Sequence, residues 1–404
     1  MNSTQNAYLY LVSSIGTAIG SLLLIPLLTS NLTPSEYAQA NYYVIASAGY
    51  GLLVGLNSNT FITRKLVDCD AIQARKLARS IFTIIITSFI PILFISILLN
   101  FLFKFYDPLI NVLSLITALF MQMTNTFLFF CIGKQKAANY FLMQVLASVF
   151  IVLITLFCLK ILNLNWQSRV LGQILPYSGL AIFSFWYFLD GKGYRFTLTR
   201  LELSEILSYS LPLMIHTLSF FVLSNIDKLI IASYLGDNDA GVFILAAQIA
   251  MLVNLLSDAF NKALIPKVFI ILKSQDRLRI DRLFLRIKYF SFWILLAAAI
   301  IALLLHFLSK FLSLGQYDDV TEVLPLLVFG QMLSFIYLMN CWKIHYSMET
   351  GYITKATLIS GAITMCLMVL VVPEYGIFGA ACITVVGLSL RTLITIFYAR
   401  KVEI

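Results

Sequence analysis

Residues 80–103 read SIFTIIITSFIPILFISILLNFLF, a run of 24 residues without one charged side chain. A helix rises 1.5 Å per residue, so about 20 apolar residues cross the hydrocarbon core of a bilayer. A strand of a membrane barrel would need only about ten residues and would alternate apolar with polar positions, and this run does neither. The run therefore predicts a transmembrane α-helix.

Runs of the same kind recur along the chain and predict an all-α polytopic membrane protein with twelve transmembrane helices. The predicted spans are 7–29, 38–62, 80–103, 109–132, 137–159, 170–189, 206–231, 240–263, 289–312, 323–345, 356–373 and 376–399. Of the 404 residues, 60% are hydrophobic and only 12% are charged, which leaves too little polar side chain to cover a soluble protein of this length. The composition therefore excludes a soluble enzyme.

The basic residues predict the orientation, because cytoplasmic loops of membrane proteins carry an excess of Lys and Arg. With a cytoplasmic N-terminus, the inner loops and adjoining helix ends hold 23 of the 28 basic residues, so both termini are predicted to be cytoplasmic. This asymmetry explains most of the net charge of +9, which therefore does not indicate a nucleic-acid partner. The densest inner segment, 262–288, is compatible with an amphipathic helix on anionic membrane lipids and with a solvated loop.

An internal repeat emerges when the chain is aligned with itself at an offset of 203 residues. LTPSEYA at 32–38 then meets LGDNDAG at 235–241, and Arg64 meets Lys267. Each segment is an outer turn followed by a helix with a basic inner end. The repeat predicts two pseudo-symmetric six-helix bundles, with domains at 1–200 and 201–404. Chance similarity between apolar helices is the alternative explanation.

Ionisable side chains at membrane depth are costly, so each one is a functional candidate. In the span 206–231, His216 and Asp227 lie eleven residues apart, on nearly the same face of a helix. A hydrogen-bonded core histidine is the alternative interpretation of His216. Lys228 lies near the outer end of this span, where it either faces a cavity or extends to the membrane interface.

Two further spans carry charges at depth. Asp258 and Lys262 lie four residues apart in the span 240–263, which is compatible with a structural ion pair as well as with a functional site. Arg391 lies a little past the middle of the last span, where a guanidinium needs a partner or a water-filled cavity. We expect a cationic cavity between the two bundles, lined by Arg391, Lys228, Lys262 and Arg64.

Motifs of bond-making chemistry are missing from the sequence, which contains no GxxxxGK[ST], HExxH or GxSxG. The three histidines are scattered and the six cysteines show no ligand spacing, so neither a metal nor a cofactor is expected. No predicted external loop exceeds about 15 residues, which is too short for an external domain. We therefore expect a transporter and not an enzyme.

Several short motifs give the chain a family resemblance. They are SLP at 210–212, NIDK at 225–228, YLG at 234–236, AGVF at 240–243, LTPSEY at 32–37 and GK at 133–134. With these motifs the chain resembles the O-antigen (Wzx-type) polysaccharide flippases, a branch of the superfamily that also contains the MATE multidrug exporters. Two positions depart from the family pattern, because Ala38 stands where Gly is frequent and 241–242 reads GV instead of VG.

The resemblance implies a MATE-like fold and a flippase of the bacterial inner membrane. Its substrate would be an undecaprenyl-pyrophosphate-linked oligosaccharide for O-antigen, lipopolysaccharide or a related surface polysaccharide, moved to the outer leaflet by alternating access. Other polysaccharide assembly proteins are implied as partners, and ion coupling is implied with the candidates His216, Asp227 and Asp258. A MATE-type multidrug exporter is the alternative, and a membrane enzyme of polysaccharide assembly is a second one.

The predicted topology can be tested with reporter fusions at the turns around Asn31, Asp237 and Glu374. All three are expected to report an external position, because the basic residues then remain on the cytoplasmic side. A cytoplasmic signal at two of the three sites would contradict the orientation.

Overall fold

The computed structural model describes residues 3–66, 70–103, 107–189, 198–274, 276–309, 315–347, 349 and 351–402. Within these ranges all regular secondary structure is helical and no strand occurs, which confirms the all-α prediction. By length and apolar composition, six of the described helices qualify as membrane spans, and a seventh does if the two halves of a bent helix are counted as one. The chain is therefore a multi-pass membrane protein.

Twelve α-helices account for most of the described chain. They are α1 (Ser3–Thr29), α2 (Pro34–Leu53), α3 (Asn59–Lys65), α4 (Ala71–Phe103), α5 (Pro108–Gly133), α6 (Ala137–Lys160), α7 (Gln167–Phe188), α8 (Arg200–Leu235), α9 (Asp237–Lys273), α10 (Arg277–Ser309), α11 (Val320–Tyr346) and α12 (Gly351–Lys401). Together α2 and α3 occupy the predicted span 38–62, and α12 covers the last two predicted spans. Each of the remaining nine helices corresponds to one predicted span.

Local capping explains where two of the helices begin. At the start of α2, the Glu36 backbone N–H donates to Thr33 Oγ1 (3.3 Å), and the Thr33 backbone N–H donates to Glu36 Oε2 (2.9 Å). At the start of α5, the Asp107 carboxylate accepts from the backbone N–H two residues on (2.7 Å). Pro34 and Pro108 occupy the first turns of these helices, where a missing N–H costs no hydrogen bond.

The second predicted span is broken between α2 and α3. The backbone of Gly55, Leu56 and Asn57 is left-handed, with φ values of 82°, 52° and 55°. Glycine adopts this conformation freely and asparagine tolerates it, whereas a leucine there is strained. The Gly55 backbone N–H donates to Ser88 Oγ of α4 (2.8 Å), so a neighbouring helix holds the break in place.

A kink, and not a loop, separates the last two predicted spans. Gly376 has φ 58° and ψ −151°, a non-helical conformation inside α12 that only glycine adopts readily. Pro373, three residues earlier, cannot donate a backbone hydrogen bond. The chain therefore bends at this position while the helix continues on both sides.

The first compact unit comprises Met1–Val222. In it α5 packs against α2, α3, α4 and α7, while α6 packs against α1 and α7. The aromatic rings of Phe82, Phe127 and Phe188 are fully buried in its core. The Phe188 ring centroid lies 5.7 Å from that of Phe82 and 6.2 Å from that of Phe127. Aromatic packing thus fills the space between α4, α5 and α7.

The second compact unit comprises Leu223–Ile404. Here α11 packs against α9, α10 and α12, and its buried residues Met332 and Ile336 belong to the core. The Trp342 indole N–H donates to Asn261 Oδ1 (2.5 Å), which links α11 to α9. The boundary between the two units lies within α8, between Val222 and Leu223. The predicted domain boundary at 200/201 and the predicted pseudo-symmetry stay predictions.

The basic segment 262–288 does not form a separate element. Instead, α9 continues to Lys273 and α10 already begins at Arg277, so both helices extend beyond their predicted spans. The segment is therefore neither a surface helix of its own nor an extended loop. A continuous helix satisfies its backbone hydrogen bonds, which explains why the chain remains helical on leaving the apolar region.

Close packing of α6 against α7 depends on one glycine. A Cβ atom added to Gly172 would lie 1.9 Å from Thr155 Oγ1, and Thr155 is itself fully buried. Threonine has a stiff χ1 angle, so it cannot turn away freely. A Cβ added to Gly179, on the same helix, would meet no heavy atom within 4 Å.

We expect Gly172→Ala to lower the free energy of unfolding by about 1–3 kcal/mol, because the added methyl overpacks the contact. Gly179→Ala is the matched control and should be neutral or stabilising by up to about 1 kcal/mol, because alanine favours the helix. The melting temperatures of both variants are measured in detergent, with size-exclusion chromatography as the readout of unfolding. Equal melting temperatures for the two variants would contradict the packing assignment.

Candidate functional site

Arg391 of α12 lies against α11 with few compensating partners. Its Nη2 donates to Ser334 Oγ at 3.4 Å, beyond the usual range of N–H···O bonds, and its guanidinium carbon lies 4.2 Å from the ring centroid of Tyr337. Its Nε is buried and has no hydrogen-bond partner among the described residues. No carboxylate in this part of the structure forms an ion pair with it. Arg391 is thus an incompletely compensated cation at membrane depth.

Asp227 and Lys228 of α8 form an ion pair with each other. Lys228 Nζ lies 3.2 Å from Asp227 Oδ1 and donates to the Ser224 carbonyl oxygen at 3.0 Å. The Lys228 and Asp227 side chains are 12% and 19% exposed, so water screens the pair only partly. The sequence suggested two separate roles for these residues, and the structure brings their charges together.

Four other candidates have described backbones but side chains that lie outside the described part of the structure. Arg64 belongs to α3, His216 to α8, and both Asp258 and Lys262 to α9. Their roles as cavity cations or ion-coupling groups therefore stay predictions.

Polar side chains of α3 and α5 form a hydrogen-bond network in the first unit. Asn59 Nδ2 donates to Gln122 Oε1 (2.8 Å), and Thr126 Oγ1 donates to Asn59 Oδ1 (2.8 Å). Gln122 Nε2 donates to the carbonyl oxygen of Gly51 (2.5 Å). These groups satisfy one another and join α5 to both sides of the broken helix.

The break itself leaves two polar groups buried. Asn57 Nδ2 and Ser58 Oγ have no hydrogen-bond partner among the described residues. Sequence reasoning missed the break, because Gly55 and Asn57 are its only signals and Leu56 argues for a continuous helix. Interrupted helices at membrane depth occur where the backbone is buried in protein or lines a cavity.

Arg169 is a second buried cation, and it lies one residue before the predicted span 170–189. It lies in the first turn of α7 and interacts electrostatically with the phenol groups of Tyr37, Tyr43 and Tyr177. Its Nη1 is buried and lacks a hydrogen-bond partner among the described residues. No simple sequence signal marks this cluster, because the tyrosines come from two different helices.

The described part of the chain shows no cluster of metal-ligating side chains. No group of three or more His, Cys, Asp or Glu side chains lies close enough together there to hold an ion.

Comparison with solved structures shows the fold. The chain superposes on an inward-facing multidrug resistance MATE family transporter of the MOP superfamily with a TM-score of 0.73 and 17% identity, covering 93% of this chain and 92% of that one. It superposes on lipid II flippase MurJ in an inward closed conformation with a TM-score of 0.69 and 13% identity, covering 98% and 88%. These similarities confirm the MATE-like fold.

Sequence comparison identifies the family. The chain is 24% identical over 394 residues to Lsg locus putative protein 1 of Haemophilus influenzae, covering 94% of this chain and 96% of that protein. A family model described as polysaccharide biosynthesis protein matches residues 3–272. Because this match spans more than half of the chain, the protein belongs to the polysaccharide biosynthesis protein family.

Proposed function

We propose that the protein is a flippase for an undecaprenyl-pyrophosphate-linked oligosaccharide. It moves the lipid-linked unit of O-antigen, lipopolysaccharide or a related surface polysaccharide from the cytoplasmic to the outer leaflet of the bacterial inner membrane by alternating access. Both termini lie in the cytoplasm in this proposal. Membership of a polysaccharide biosynthesis family and the fold shared with transporters and a lipid flippase support it.

The observation that carries the proposal is the environment of Arg391. A pyrophosphate cannot cross hydrocarbon without compensation for its lost hydration. A guanidinium offers two parallel N–H donors to phosphate oxygens, and Nε and Nη2 belong to the same edge of the group. Among the described residues, Arg391 Nε has no hydrogen-bond partner and Nη2 has one long bond, to Ser334 Oγ. Because Nε is buried in this conformation, the proposal requires this edge to become accessible to the phosphate in another state of the transport cycle.

The stacking of Arg391 on Tyr337 prepares the side chain for this role. The ring lies against the guanidinium at 4.2 Å and stabilises its charge through a cation–π interaction. Stacking occupies a face of the guanidinium and leaves its edges unoccupied. Tyr337 thus orients Arg391 without using the donors that the substrate needs.

Lys228, Lys262 and Arg64 would take the pyrophosphate at other stages of the transport cycle. Lys228 is paired with Asp227 in this conformation. We propose that protonation of Asp227 releases Lys228 for the substrate and thereby couples transport to a proton gradient. His216 and Asp258 are further candidates for coupling, and other polysaccharide assembly proteins are proposed partners.

A multidrug exporter of organic cations fits this environment less well. The positive charge of Arg391 would repel a cationic drug, and the carboxylate of Asp227 is already occupied by Lys228. An enzyme of polysaccharide assembly would need a reactive constellation, which the described residues do not provide. The compared structures are transporters and a flippase.

Arg391→Gln should reduce surface polysaccharide roughly 10- to 100-fold, because a charge-assisted hydrogen bond to phosphate is lost. Arg391→Lys should retain part of the activity, since the charge remains while the paired donors are lost. Surface polysaccharide is measured in a deletion strain complemented with each variant and normalised to protein in the membrane. Lys355→Gln is the control, an exposed cation that also lies over a tyrosine ring. Wild-type polysaccharide in Arg391→Gln cells at normal expression would refute the role of Arg391.

Asp227→Asn should make transport insensitive to an imposed proton gradient, because Lys228 then has no titratable partner. Lys228→Gln should lower transport at every gradient, since the cation itself is lost. Both are measured as translocation of the lipid-linked oligosaccharide in proteoliposomes. Asp276→Asn is the control, because Asp276 also pairs with a nearby cation, Arg279, but on the exposed surface. A gradient response of Asp227→Asn equal to that of wild type would exclude this coupling.

A further inference from the structure

The second unit contains a groove between α10, α11 and α12, with a volume of about 720 Å³. One face of each helix lines it. The apolar part of the lining includes Phe329, Leu333 and Leu393, and Leu393 is 61% exposed. The groove is therefore open at its side and is not an internal cavity of the core.

Three basic side chains stand at one end of this groove: Lys288, Lys343 and Arg400. They come from three different helices, and the groove lining includes no carboxylate among the described residues. Lys343 lies 5.6 Å from the ring centroid of Phe284, which also lines the groove. The sequence gives no sign of this convergence, because the three residues are far apart along the chain.

The dimensions of the groove match one leaflet of a bilayer. On α12 the lining runs from Ser389 to Arg400, which at 1.5 Å per residue is about 16 Å. Half of the hydrocarbon core measures about 15 Å. Lys343 and Arg400 lie in the last turns of α11 and α12, and Lys288 lies one residue before the predicted span 289–312, so the cations reach the interface while the apolar part extends into the hydrocarbon.

An apolar groove that opens sideways in a membrane does not stay empty. In the first unit, the space between α4, α5 and α7 is filled by aromatic rings of the protein itself. In the second unit, the lining between α10, α11 and α12 includes small side chains such as Ser291 and Thr392. Acyl chains of bilayer lipids can fill this groove. The three cations favour a lipid with an anionic headgroup.

We propose that this groove binds one anionic phospholipid of the leaflet at that end. Its phosphate lies among Lys288, Lys343 and Arg400, and an acyl chain runs along Leu393 and Leu333. Basic pockets between transmembrane helices favour anionic headgroups, and the shape accommodates a lipid tail. The site is separate from the proposed role of Arg391, which does not line the groove.

Native mass spectrometry of the purified full chain tests the proposal, with phosphatidylglycerol and phosphatidylcholine of equal chain length as probes. Wild type should bind one phosphatidylglycerol much more tightly than phosphatidylcholine. Lys288→Gln with Arg400→Gln should weaken this binding roughly 10- to 30-fold, at about 1 kcal/mol for each basic side chain lost. Arg282→Gln with Arg286→Gln is the control, because it removes two exposed cations of α10 that do not line the groove.

Leu393→Trp provides a second test that leaves all three cations in place. The larger side chain fills the groove, so phosphatidylglycerol should bind more weakly although the headgroup partners remain. Equal binding of the two lipids to wild type would overturn the proposal. So would equal weakening by the two double variants, or unchanged binding to Leu393→Trp. No lipid-linked sugar is present in these measurements, so their outcome is independent of the proposed flippase function.

Discussion

A polar group that enters hydrocarbon must find a partner inside the protein, and most features of this structure follow from that requirement. Helical backbone meets it automatically, which explains why all regular secondary structure among the described residues is helical. Some polar side chains find a partner inside the protein and others do not. The amides around Asn59 and Gln122 are satisfied, whereas Arg391 Nε and Arg169 Nη1 find no hydrogen-bond partner in the part of the chain that the structure describes.

The interrupted helix between α2 and α3 shows how the protein compensates for lost backbone bonds. Ser88 accepts from the Gly55 backbone N–H, and Gln122 donates to the Gly51 carbonyl oxygen. Both partners come from neighbouring helices, so the break is held by tertiary contacts. Three left-handed residues in sequence store strain that a continuous helix would not have.

The two compact units fill comparable spaces in different ways. Large aromatic rings close the region between α4, α5 and α7, which makes the first unit self-sufficient. The second unit leaves a groove that basic side chains line together with apolar ones, and we propose that a lipid fills it. Packing density in proteins is high, so a groove of about 720 Å³ is a feature that a ligand or lipid completes.

The sequence by itself determined the class of protein and the positions of its helices. Long apolar runs have only one stable structure in a bilayer, so the spans could be assigned from residues such as 80–103. The short motifs around NIDK at 225–228 also sufficed to indicate the family. The apolar runs and the family motifs each lie within a short stretch of sequence, so both can be recognised without knowing the tertiary structure.

Only the tertiary structure decided which polar residues meet. It joined Asn59 of α3 to Gln122 of α5 and paired Asp227 with Lys228. It also placed Arg391 on Tyr337, a residue of another helix. Helix rotation and partner choice depend on packing between segments far apart in the chain, and the pattern of one segment does not contain them.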